Sequence, residues 1–158
     1  MKLYILPAIL VLLIAAACNN DDNKHAGHNG SGKEPQTLAD SLMKDIDDGH
    51  IVGMSKMGKL HNTKKEVQRI IDSIGKLPAK AQAAVAPYVD QLKENIKELE
   101  YADFAMEKWM TEFEMDSAID NLEQRIKYLT DEKMKVGKMK EAILTSMQKA
   151  DSLLKVRF

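Results

Sequence analysis

The sequence predicts an all-α fold: an up-down-up bundle of three long antiparallel helices, coiled-coil-like, over residues 37–158 of a 158-residue chain. Three observations predict it. From Thr37 onward apolar residues recur at alternating steps of three and four, the spacing that lines one side of a helix. No window alternates apolar and polar residues as a strand would. Turn signals fall only near residues 76–78 and 114–117, and short connections make neighbouring helices antiparallel.

The first helix carries Ile46, His50, Gly53, Met57, Leu60, Lys64, Val67, Ile71 and Ile74 along its seam. Thr37 with Asp40 three residues later forms a capping box, and Gly75 with Pro78 ends the helix. Gly49, Gly53 and Gly58 each cost up to about 1 kcal/mol relative to alanine inside a helix, so either the helix bends there or a neighbour packs unusually close. The second helix carries Val85, Val89, Leu92, Ile96, Leu99, Asp103, Met106, Met110 and Phe113, with Pro87 near its start, where a missing N–H matters least. The Ala-rich piece before Pro87 is compatible with a separate turn of helix. The third carries Ile119, Leu122, Ile126, Leu129, Lys133, Val136, Lys140, Ile143, Met147, Ala150 and Leu154, entered through Asp116 and Ser117 as its cap. Helices of about 35 residues reach roughly 50 Å. Aromatic residues make up only 5% of the chain, which suits a thin core of Leu, Ile and Met.

Ahead of this body, Lys2 precedes an apolar run over residues 3–17 that ends in Ala15, Ala16 and Ala17 before Cys18. Charged start, apolar stretch and small residues have the form of a signal peptide, residues 1–17. The run is shorter than the roughly 20 residues that a permanent bilayer span needs. Cys18 is the sole cysteine, so an exported chain cannot use it in an internal disulfide. The Ala-Ala-Ala-Cys sequence resembles the bacterial lipobox, although Ala15 stands where leucine is commoner. Lipidation at Cys18 is the expectation, and an ordinary secretory signal is the competing one. Residues 18–36 are polar and Gly-rich and read as a flexible tether. The acidic pair Asp21 and Asp22 resembles the export signal of surface-exposed Bacteroidota-type lipoproteins. Outer-membrane attachment is expected, and periplasm-facing and surface-exposed placements both stay open.

Loss of residues 1–17 removes Lys2 and no acid, which leaves 22 basic and 24 acidic residues. So balanced a surface argues against a nucleic-acid partner. Chemistry, where present, centres on His50, Met54, Met57 and His61, which share one stripe of the first helix. If the second helix returns through a turn near Pro78, residues whose numbers total about 160 share a level. Asp103, Met106, Trp109 and Met110 then face that stripe. Imidazole and thioether are ligands for soft Cu(I), so a His50, Met54, Met57, His61, Met106, Met110 metal site is conceivable. Plain core packing, with a histidine bonded to Asp103, is the preferred reading. His25 and His28 in the tether could hold a metal weakly, but read first as a soluble spacer. Trp109, Met110 and Phe113 form either an exposed partner patch or the seal of a bundle end. Lys133, Lys135, Lys138 and Lys140 are flanked by acids and read as a solvated face. No HExxH, nucleophile motif or phosphate-cradling glycine loop appears, so no enzyme and no cofactor beyond the lipid are expected.

The body resembles a family of small helical lipoproteins of Bacteroidota type, often labelled "viral A-type inclusion protein". The resemblance covers most of the mature chain. It rests on His50, Met54 and Met57, on Ala105-Met106-Glu107-Lys108-Trp109-Met110 with Phe113, and on Tyr128-Leu129 with Asp131-Glu132-Lys133. Ile51 stands where relatives tend to carry Asp. The resemblance implies no established activity. The leading expectation is a non-enzymatic interaction, scaffold or accessory module on the envelope, with an unidentified envelope protein as partner. A Cu(I)- or Ag(I)-binding protein is the alternative, and a periplasmic-type holdase chaperone the third.

Overall fold

The computed structural model of the chain describes residues 37–156. The predicted signal peptide, Cys18 and the tether with His25 and His28 lie outside the described residues. Four helices follow in order: α1 (Leu38–Ile74), α2 (Ala79–Ala84), α3 (Ala86–Glu112) and α4 (Leu122–Leu153). The fold is an all-α bundle in which α1, α3 and α4 pack against one another. None of the described helices is long and apolar enough to cross a membrane.

Contacts fix the directions. His50 meets Trp109 and Gly53 meets Met106, so α1 and α3 run antiparallel, with residue numbers totalling 159 at both levels. Asn95 bonds Ser146 and Trp109 bonds Glu132, so α3 and α4 are antiparallel too. Asp45 pairs with Lys133, and Lys59 with Asp151, which makes α1 and α4 parallel. The topology is the predicted up-down-up bundle, and the Ala-rich piece before Pro87 is the separate short helix α2.

The start of α1 is the predicted capping box. The Thr37 side chain accepts from the Asp40 backbone N–H at 3.1 Å, and the Thr37 N–H donates to the Asp40 carboxylate at 3.1 Å. The helix then runs unbroken through Gly49, Gly53 and Gly58. The first two glycines mark close approach. A Cβ on Gly49 would stand 2.5 Å from Cγ1 of Val136, and one on Gly53 would stand 2.6 Å from the Met106 methyl. Gly58 has open space before it.

The buried stripe of α3 is Leu92, Asn95, Leu99, Ala102, Met106 and Trp109, and that of α4 includes Leu129, Glu132, Val136, Met139, Ile143, Ser146 and Ala150. These are heptad seams, displaced by one position from the predicted seams at several levels. Asn95 replaces Ile96, Ala102 replaces Asp103, Trp109 replaces Met110, Glu132 replaces Lys133 and Met139 replaces Lys140. Each helix here faces two neighbours, so the covered face is wider than one stripe. Ile96 is partly buried beside the seam and bears the same spacing signal.

The start of α4 also departs from expectation. Its cap is Asn121, whose side chain accepts from the Gln124 N–H at 3.1 Å, and not Asp116 or Ser117. Between α3 and α4 the backbone passes through Ala118 in the left-handed region, φ 55°, which ends any helical continuation. Ile119 therefore lies in the connection and is exposed, and Leu122, at the first turn of α4, is exposed as well.

Candidate functional site

The predicted site residues fall at two levels of the α1–α3 interface. At the first, the His50 ring lies 5.0 Å from Trp109, tilted by 46°. Trp109 stacks on Phe113 at 4.9 Å, and Phe113 on Tyr128 at 6.2 Å. Trp109 is only 7% exposed. Its indole N–H donates to Glu132 Oε2 at 2.9 Å, and Lys135 donates to Oε1 of the same carboxylate at 2.6 Å. Burial of a carboxylate without partners would cost several kcal/mol. Here one oxygen meets a fixed indole donor and the other an ammonium. The bond to Glu132 in turn holds the Lys135 ammonium above its ordinary value. Burial raises the Tyr128 phenol, whose oxygen accepts from the Glu114 N–H at 2.7 Å.

At the second level, His61 Nε2 lies 2.8 Å from Asp103 Oδ1, and the Lys64 ammonium is 3.5 Å from the other oxygen. This is the histidine-to-Asp103 bond that the sequence favoured. Met57 is partly buried against the core, and Met106 is buried, its methyl beside Gly53. His50 and His61 are eleven residues apart on one helix, roughly 16 Å at 1.5 Å per residue, so the six predicted metal ligands do not converge on one point. Among the described residues, no three of His, Cys, Asp and Glu gather closely enough to hold an ion.

Met54 and Met110 stand apart from that core. Met54 lies one heptad before His61 on α1, and Met110 one heptad after Asp103 on antiparallel α3. The pair therefore occupies the same relation as His61 and Asp103, two turns along. Both are exposed, at 43% and 45%, and Ile51 beside them is 60% exposed. Of the predicted partner patch, Met110 is thus on the surface, whereas Trp109 is buried and Phe113 is packed against the core. The Trp109–Phe113 pair seals the bundle because its heptad phase points inward, the phase that the Met110 seam assignment misread.

Sequence reasoning missed Asn95 and the buried role of Glu132, which figured only in the resemblance. Asn95 is fully buried and donates to the Ser146 carbonyl at 2.9 Å, and its Oδ1 accepts no hydrogen bond among the described residues. Both positions sit three residues from an apolar seam residue, Leu129 or Leu92, so heptad counting from those leucines was the available signal. A groove of about 380 Å³ runs along α3 and α4, bordered by Glu94, Lys97, Glu98, Tyr101, Thr145 and Lys149. Its charges are paired as Lys97 with Glu94 and Lys149 with Glu98. Comparison of the chain with protein-family models, with curated proteins and with solved structures finds no match.

Proposed function

We propose that this chain is a lipid-anchored envelope module that acts without catalysis, by presenting the outer face of α1 and α3 to a protein partner. The observation that carries the reading is the exposed apolar cluster Ile51, Met54 and Met110. It is set on two helices held in register by the His50–Trp109 and His61–Asp103 contacts. Exposed apolar side chains grouped on a firm support mark contact surfaces more than scattered ones do. Thioethers adapt to irregular partners at low conformational cost. The anchor part of the reading rests on the Ala-Ala-Ala-Cys sequence ending at Cys18.

The test is affinity capture from envelope extracts with the full mature chain, beside a Met54→Asp, Met110→Asp variant. The expected result is a specific envelope protein retained by the parent chain and lost by the variant, with circular dichroism and Tm unmoved. Equal capture by both would remove the assigned face.

The same cluster favours a second reading. His50 precedes Met54 by one helical turn and Met110 lies at a nearby level of α3, residue types that suit Cu(I) or Ag(I). This reading expects saturable Ag(I) binding that is lost in a Met54→Ala, Met110→Ala variant. Unchanged Tm and no binding under titration would discard it.

A further inference from the structure

The end of the bundle where the chain enters from residue 36 carries a second apolar surface. At this end α1 begins and the α3–α4 connection crosses over. The buried seams run past their last covered layer there. Leu38 stands four residues before Leu42, and Leu122 seven residues before Leu129, each in phase with a buried seam, yet both are exposed. Ile119, 66% exposed, and Met115 join them from the connection. The connection is pinned: Arg125 donates to the Ser117 carbonyl at 2.8 Å, and Tyr128 accepts from the Glu114 N–H. Ala118, next to the pinned Ser117, adopts left-handed backbone and Ile119 follows it directly. Solvent-exposed isoleucine and leucine are thus held at the tip of a braced turn.

We propose that this tip, Leu38, Met115, Ile119 and Leu122, seats in the lipid interface beside the acyl anchor, so that the bundle stands end-on to the membrane. The proposal rests on the lipid-anchor reading. Only residues 19–36 separate Cys18 from Thr37, and even fully extended they cover no more than about 65 Å. The tip is the end attached to that segment, whereas the turn at Gly75 lies the length of α1 farther away, roughly 55 Å. An anchored chain therefore holds this end at a higher local concentration near lipid than the other. Glu114, Asp116, Asp120 and Glu123 neighbour Met115, Ile119 and Leu122 in the sequence, so attraction to anionic headgroups does not drive the contact. Apolar insertion does, to the depth of about 5–10 Å at which interfacial side chains sit.

The experiment places an environment-sensitive fluorophore on the tip of the full mature chain through Ile119→Cys, with Leu77→Cys at the opposite end as the control. The acylated chain is reconstituted in phosphatidylcholine vesicles that carry a lipid-borne quencher. Acylation of Cys18 is read first by mass spectrometry. The expected result is a blue shift and loss of most emission at 119, insensitive to salt, with neither change at 77. Helix content by circular dichroism stays at the parent level in both variants, since both positions are exposed. Acylated chain whose label at 119 is quenched no more than at 77 overturns the docking and leaves the anchor standing. Chain without acyl groups overturns both. A blue shift already present without vesicles, rising with protein concentration, assigns the tip to a second copy of the chain and overturns lipid contact.

Discussion

Gly49 and Gly58 lie on one helix, and alanine at the two positions is expected to move stability in opposite directions. A Cβ at 49 meets the stiff, β-branched Val136 at 2.5 Å, so one helix must shift. Overpacking of that kind costs about 1–3 kcal/mol, more than the up to about 1 kcal/mol gained in helix propensity. At 58 nothing stands within 4 Å, so only the propensity gain remains. Urea denaturation is expected to show Gly49→Ala below the parent and Gly58→Ala above it; a stabilised Gly49→Ala would remove the close approach as the reason for glycine. Gly53 is intermediate, because its nearest neighbour is the movable end of Met106. Glu132 allows a second residue-scale prediction. Glu132→Gln keeps an acceptor for the Trp109 N–H and loses only the pair with exposed Lys135, at a cost below about 1 kcal/mol. Glu132→Ala strands a buried indole N–H, which costs about 1–3 kcal/mol before any cavity is counted. Equal loss in both variants would mean that charge, and not the indole bond, is what the carboxylate supplies.

At the scale of elements, α4 owes its start to Asn121. Loss of the side chain that accepts from Gln124 in Asn121→Ala is expected to cost about 1 kcal/mol, or roughly 3–5 °C in Tm for a chain of this size. Asn121→Asp retains the acceptor and is expected to retain Tm, whereas Asp116→Ala, at the cap that the sequence suggested, is expected to change nothing. The start of α1 was readable because Thr37 and Asp40 have the spacing of a reciprocal cap and no rival stands nearby. The connection before α4 offered Asp116, Ser117, Asp120 and Asn121 in six residues, and local chemistry could not choose among four capping side chains. What chose was the left-handed turn at Ala118, a conformation that alanine does not advertise. Helix existence, order and antiparallel level were legible for a related reason: a period of three and four is repeated many times, and the turn near Pro78 sets the α1–α3 register. Heptad phase was less legible. Ile96 and Met110 flank the true seam with the same spacing, while Asn95 and Glu132 lie within it as polar residues that a search for apolar residues passes over. The exposed Met54 and Met110 were likewise drawn from the stripe that pattern alone assigns to the core.

Across the whole molecule, register is held at the surface by charge pairs that join different helices: Asp45 with Lys133, Lys59 with Asp151, Lys64 with Asp103 and Glu98 with Lys149. Exposed pairs of this kind contribute about 0–1 kcal/mol each, so they serve alignment more than cohesion, and a buried Asn95 reinforces the same alignment by reaching the Ser146 carbonyl across the α3–α4 seam. Glu98 stands where the two devices meet. Burial pushes its carboxyl up, but hydrogen bonds from Lys149 and from Asn95 outweigh burial and hold it below the ordinary carboxylate range. The folded chain thus keeps Glu98 ionised to lower pH than the unfolded chain does. Its contribution is complete above the ordinary carboxylate range and is lost as pH falls through the lowered value. Glu98→Gln is therefore expected to melt slightly below the parent at neutral pH, and the gap is expected to close as pH falls below the lowered value, where both side chains are neutral. Because the carboxylate is partly exposed, the neutral-pH gap is small and shrinks in high salt. Thermal melts of the two chains across that range carry the test, and a gap that persists undiminished in acid would locate the effect in packing against Asn95 and not in the charge that joins α3 to α4.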